Sequence, residues 1–191
     1  MFFELRTYDL KPGKVPVYLE FFRTFGVALV TRHLPMGGYW MTESGALNRI
    51  EHLWIYDSFD ERDACRAGLV KESAWMDDFI PRAFADVVAQ STRIMELTAS
   101  SDAFDAVIAG RRTCLENQAP ETPMFAPGLH GLTLSDTPPV NDSLAAFRVL
   151  SGDRPGTHVQ IAAGSFASLT SGNSGALGHE ILRPLSLSPL R

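Results

Sequence analysis

The chain has 191 residues, 45% of them hydrophobic and 20% charged, and carries a formal net charge of −5 at pH 7. That composition is the composition of a soluble globular protein, and the acidic balance without any Lys/Arg run excludes a phosphate-binding nucleic-acid surface. The most apolar stretch, residues 15–30, contains Glu20 and Arg23 and is too short and too charged for a membrane span.

The first element is "FFELRTYDL" (2–10), which alternates with period two and reads as a strand. Glu4 and Arg6 interrupt it before an apolar signal segment could form. "KPG" (11–13) is a turn, and residues 14–31 follow as a helix that tolerates Pro16 in its first turn. "GGYWMTESG" (37–45) and "RIEHLWIYDS" (49–58) form a hairpin across residues 45–48. With Ser44 opposite Arg49, Glu43 meets Ile50, Met41 meets His52 and Tyr39 meets Trp54. Ser58 and Glu61 form a capping box that opens a helix through residue 73. A second helical piece, "AWMDDFI", stops at Pro81, and residues 86–97 are rich enough in β-branched side chains for a fourth strand. The order β-α-β-β-α-β is the split βαβ pattern of an α+β, ferredoxin-like domain.

The texture changes after "TASSD". A helix is expected over residues 102–117, then a Pro-rich stretch, then short strands in "LHGLTLSD", "LAAFRVLS", "HVQIAAGSFASL" and "HEILRPLSLSPL". "SGDRPG" (151–156) suits a hairpin connection, and "TSGNSGALG" a flexible loop. The expected division is therefore residues 1–99 and a second, mostly-β half over 100–191.

"FFELRTYDLKPGK", "GYWMTESGALNRIEHLWIYDSFDER" and "QSTRIMEL" match in order and spacing, and through them residues 1–97 resemble the NIPSNAP family. The ending "ILRPLSLSPLR" resembles the close of such a domain, which makes residues 100–191 a candidate degenerate repeat. The resemblance implies a dimeric α/β barrel, in which one ferredoxin-like sheet closes against another. The second sheet would come from a homodimer partner or from the chain's own second half, as an intrachain pseudo-dimer. Similar barrels serve cofactor-free monooxygenases, muconolactone-type isomerases and small binding proteins, so the resemblance implies a fold and not one reaction.

In strand three Ile50, His52, Trp54 and Tyr56 share one face, and Glu51, Leu53 and Ile55 the other. Phe3, Leu5, Leu53 and Ile55 suit the helix side of the sheet. Glu4, Arg6, Tyr8, Tyr39, Met41, Glu43, His52, Trp54 and Tyr56 are then expected to look into a barrel lumen. In that setting His52 and Glu43 would be an acid–base pair, Arg6 an anion holder, and Tyr8, Tyr39, Trp54 and Tyr56 the walls, with Glu4 beside Arg6. Glu4 and Arg6 can also simply neutralise each other, and His52 can be a satisfied core histidine. The tyrosines and Trp54 also suit a plain interface.

His33 reads as an ordinary helix-end residue, and His130, His158 and His179 have no metal-ligand spacing. No Gly-x-Ser-x-Gly, HExxH or phosphate-cradling loop is present. Cys65 and Cys114 stand apart, as two reduced thiols in a cytoplasmic protein do. The expected function is small-molecule binding. If catalytic, the protein is a cofactor-independent isomerase, cyclase or monooxygenase acting on an aromatic, polyketide-like or unsaturated carbonyl compound. The alternative is a non-catalytic interaction or assembly protein, whose barrel only joins surfaces.

Overall fold

Strand β1 (Phe2–Leu10) pairs on both sides, as a central strand must when both of its faces are dry. Phe3 lies opposite Ile55 of β3 (Arg49–Tyr56) and opposite Met95 of β4 (Val87–Ser100). With β2 (Met36–Ser44) the first half has the order β4-β1-β3-β2. The second half contributes β5 (Leu129–Ser135), β6 (Ala145–Gly152), β7 (His158–Gly164) and β8 (Gly178–Pro184), in the order β8-β5-β7-β6. Pairing of β2 with β8 and of β4 with β6 closes one antiparallel barrel within this computed structural model. The structure describes residues 1–139, 143–171, 173 and 175–191; part of the expected 170–178 loop therefore lies outside the described residues.

Helix α1 covers residues 15–31 and contains a π-helical stretch, Phe22–Gly26. Helix α2 (Phe59–Leu69) starts at Ser58, whose hydroxyl accepts the Glu61 N–H at 3.1 Å. Helix α3 runs over residues 74–86 and does not stop at Pro81. Pro81 falls in the first turn of the segment Ile80–Ala83, where a missing N–H costs little. Gly26 lets α1 and α3 touch: a Cβ there would lie 2.4 Å from the Phe79 ring. Among the described residues no helix is long and apolar enough to cross a membrane.

The second half corrects two expectations. Helix α4 (Asp102–Gly110) ends well before residue 117, because the following segment is bonded to α1 instead: Leu115 N–H donates to Thr31 Oγ1 and Gln118 N–H to the Arg23 carbonyl. Residues 166–170 are a short helix, α5 (Phe166–Thr170), and not strand, because the Ser165 hydroxyl caps its first turn by accepting the Ser168 N–H. The 151–156 hairpin stands as expected. Gly152, at φ +104°, sits against the Thr92 carbonyl where a Cβ would approach to 2.1 Å, so only glycine fits.

Two apolar layers result. Phe3, Leu5, Trp40, Leu53 and Ile55 pack with Phe147, Val159, Ile161 and Leu182 from the other half and fill the barrel lumen. Tyr8, Tyr39, Trp54 and Tyr56 pack outside the barrel, against Tyr18, Phe22, Leu69 and Phe79 of α1–α3. The alternation was legible, but the expected assignment of its two faces is reversed. A small closed barrel is filled mainly by apolar side chains, and the polar pair within it, Trp40 and His130, satisfies itself. The mixed aromatic and polar face is therefore left to the helix layer, which can supply polar partners.

Candidate functional site

Between the outer face of the first-half sheet and its helices lies a cavity of about 230 Å³. Arg6 and Tyr8 of β1, Tyr39 of β2 and His52 and Trp54 of β3 form its floor. Tyr18 and Phe22 of α1, Arg66 and Leu69 of α2, and Trp75 and Phe84 of α3 form its roof. Five expected site residues thus come together, on the helix side and not in the lumen.

Three others do not line it. Glu43 is exposed and pairs with Arg183 at 2.8 Å, so the expected His52–Glu43 pair is corrected. The cause is register: Met41 faces Ile50 and Tyr39 faces His52, two residues from the expected pairing. Glu43 therefore overhangs the last β2–β3 pair, on the stretch of β2 that pairs with β8. Tyr56 is buried against Phe2, with ring centroids 5.6 Å apart. Glu4 lies at the cavity's charged end as a fully buried carboxylate.

Glu4 organises that end. Arg62 donates to it from Nη2 at 2.9 Å and from Nε at 3.2 Å, Arg66 Nη2 spans both oxygens at 3.0 and 3.2 Å, and Arg6 Nη1 lies 3.6 Å away. Burial alone would raise its pKa. The Arg62 hydrogen bond and the charges of Arg66, Arg6 and Arg62 outweigh that effect and hold the carboxyl below its ordinary range. Three guanidiniums meet one buried carboxylate, so this end of the cavity stays positive. Arg6 passes Nη2 to Gln90 at 3.1 Å, while the buried Nε–H groups of Arg6 and Arg66 have no partner among the described residues.

His52 is stacked on Tyr39 at 5.0 Å and meets Tyr8 edge-on at 4.6 Å. Its Nδ1 accepts the indole N–H of Trp54, and among the described residues its Nε2 has no partner. Burial, then the charges of Arg6 and Arg66, hold its pKa well below the usual histidine value. A neutral imidazole whose Nδ1 accepts must carry its proton on Nε2. The geometry thus presents a donor, and the lone pair needed for the expected base role is taken by Trp54. Burial likewise raises the phenol pKa values of Tyr18 and Tyr39, whose hydroxyls lie 3.3 Å apart, so both are neutral.

The cavity therefore offers N–H donors at one end and aromatic walls along the rest. Arg66, Arg62 and Tyr18 are the residues that reading the sequence missed. The available signal was Arg62 and Arg66 at i, i+4 in "DERDACRAG", one helix face with two cations and a buried acid on the strand beneath. Of the other histidines, His33 pairs with Glu72 at 2.9 Å and His130 accepts the Trp40 indole N–H at 2.9 Å inside the lumen. Among the described residues no group of three or more His, Cys, Asp and Glu is placed to hold a metal ion.

A family model described as NIPSNAP matches residues 3–102. The chain is similar to mouse Protein NipSnap homolog 3B, 41% identical over 97 residues that cover 50% of this chain and 39% of that protein. It is similar to human Protein NipSnap homolog 3A, 36% identical over 98 residues that cover 51% of this chain and 39% of that one. The chain thus spans about two fifths of the length of these curated relatives. Among solved structures it is similar to Atu4242 from Agrobacterium tumefaciens, at 34% identity and a TM-score of 0.51, covering 53% of this chain and 98% of that one.

Proposed function

The chain belongs to the NIPSNAP family through residues 3–102, and from that premise we propose that the helix-side cavity of this region binds a small amphipathic anion with an aromatic or planar unsaturated body. The carrying observation is that Arg6, Arg66 and His52 line one aromatic-walled cavity, while Arg6 Nε, Arg66 Nε and His52 Nε2 are buried with no hydrogen-bond partner among the described residues. Buried donors without partners favour a ligand that brings acceptor oxygens. Trp54, Trp75, Phe22 and Phe84 favour a flat apolar remainder.

If the protein is catalytic, this arrangement supports cofactor-independent chemistry in which negative charge develops on a substrate oxygen, as in isomerisation, cyclisation or substrate-driven oxygenation. The donors would stabilise an enolate or related oxyanion, and His52 would act as a fixed dipole in place of a base. The matching strand orders, β4-β1-β3-β2 and β8-β5-β7-β6, support reading residues 100–191 as a degenerate copy of 1–99 that does the work of a partner subunit. Two free cysteines support a reducing compartment such as the cytoplasm.

The test is a titration with 2-naphthoate, followed by the fluorescence of Trp54 and Trp75. Saturable quenching is expected with the acid, and binding about tenfold weaker with 2-naphthylmethanol, the uncharged analogue. Arg66→Gln should weaken naphthoate about tenfold or more while leaving Glu4 paired to Arg62. Equal affinity for acid and alcohol, or an unchanged affinity in Arg66→Gln, removes the proposal.

A further inference from the structure

The two ends of the barrel differ. At one end Phe104 of α4 inserts beside Phe3 and Phe147, with centroids 5.8 and 5.6 Å away, and closes the lumen. At the other end, past Leu132 and Leu134, lies a cavity of about 260 Å³ that the helix-side site does not share.

Glu51 of β3 faces this mouth and is only 3% exposed. The Thr7 hydroxyl donates to its Oε2 at 2.8 Å, and among the described residues Oε1 has no hydrogen-bond partner. Arg93 of β4 gives Nη2 to Asp153, while its buried Nε–H is unpartnered among the described residues. A buried carboxyl with one oxygen free of hydrogen bonds and a half-buried arginine with one unpartnered N–H thus line one cavity, each held by a single structural partner, Thr7 and Asp153. We infer that the barrel mouth is a second ligand site, which takes a short-chain monocarboxylate between Arg93 and the Glu51–Thr7 pair with its tail against Leu132 and Leu134.

The charges favour one anionic group and no more. Arg49 of β3 is paired with Asp9 of β1 and Glu180 of β8, and Arg93 with Asp153; Arg154 lines the same mouth from the β6–β7 turn. His179 of β8 is turned toward Thr133 at 2.9 Å and is held neutral by burial, with Glu180 opposing that effect. Three cations thus line the mouth with two other carboxylates, Asp153 and Glu180, and Glu51 sets the sign. Burial pushes the Glu51 carboxyl up to about 8, against the lowering by Thr7, Arg49 and Arg93, with Glu180 adding to the rise. At neutral pH Glu51 is therefore protonated. A proton on Oε1, the oxygen that Thr7 does not bond, is a second donor in the cavity that Arg93 lines. Ionised Glu51 would repel the same ligand.

Butyrate is the probe, titrated into the intact protein while the ¹⁵Nε–H resonance of Arg93, assigned through Arg93→Gln, is followed. A saturable shift is expected at about pH 6.5, with an apparent Kd that rises about tenfold per pH unit once Glu51 ionises. Glu51→Gln keeps a neutral group at the same place, so its Kd should stay within about threefold across that range. Arg66→Gln, in the helix-side cavity, should leave this titration unchanged, which separates the two sites. No saturable shift of Arg93, or a pH dependence that persists in Glu51→Gln, would overturn the inference.

Discussion

Glu4→Gln should cost about 3–5 kcal/mol of folding stability, because it removes the one buried anion that holds three guanidiniums in place. The substitution is nearly isosteric, so packing hardly changes; what changes is that Arg6, Arg62 and Arg66 face one another without a counter-charge. For a chain of this size that loss corresponds to a fall in Tm of about 6–20 °C. Glu4→Gln with Arg66→Gln should recover part of it, since the second change removes one of the uncompensated cations. The pH dependence has a definite sign. The folded-state pKa of Glu4 lies below the ordinary carboxylate value of 4.5, so its stabilisation is fully present above 4.5 and is lost as pH falls through the folded value. Thermal scans of parent and variant should therefore converge in acid. A Tm change of less than about 2 °C at neutral pH would mean that water already screens these charges and that the cavity has no positive end.

The same cluster shows how far the sequence could be read. "FFELRTYDL" and "RIEHLWIYDS" each state by alternation which side chains share a face, and that was enough to bring Arg6, Tyr8, His52 and Trp54 together. It was not enough to say what each face meets. In this barrel both faces of strands β1 and β3 are buried, so burial could not mark the inside. The aliphatic set Phe3, Leu5, Leu53 and Ile55 was equally suited to helices, and only closure of the sheet decides that it fills the lumen. Register failed for a local reason. The connection at residues 45–48 uses Gly45 at φ +118° and Asn48 at φ +59°, and β2 runs on past its pairing with β3 to reach β8. That long-range pairing moved Glu43 out of the site. Arg66 was invisible for the opposite reason: a charged residue on an amphipathic helix reads as solvent-facing until the buried Glu4 beneath it is placed. Glu51 shares its face with Leu53 and Ile55, and its burial beside Thr7 depends on strand pairing across 44 positions of sequence.

His52→Asn provides the second large effect, and it appears only as a function of pH. The imidazole is buried, stacked on Tyr39 and set beside Arg6 and Arg66, so it stays neutral far below the 6.5 at which an unfolded-state histidine titrates. The unfolded chain therefore binds a proton below 6.5 that the folded chain refuses. Stability contributed by a neutral His52 is present above 6.5 and is lost as pH falls, at about 1.4 kcal/mol per pH unit. The parent's own profile mixes this with other groups. His130, lowered to about 4 by burial in the lumen, adds to the acid loss, and Glu51, raised to about 8, opposes it between its unfolded and folded values. The difference between parent and variant isolates position 52. Asparagine places an acceptor near Nδ1 for the Trp54 indole and does not titrate, so the parent should lose stability relative to His52→Asn as pH falls below 6.5, by up to about 1.4 kcal/mol per pH unit. Urea unfolding at four or so pH values measures it. Parallel curves would mean that His52 takes up its proton inside the fold, and the Nε2–H donor assigned to it would then give way to an imidazolium.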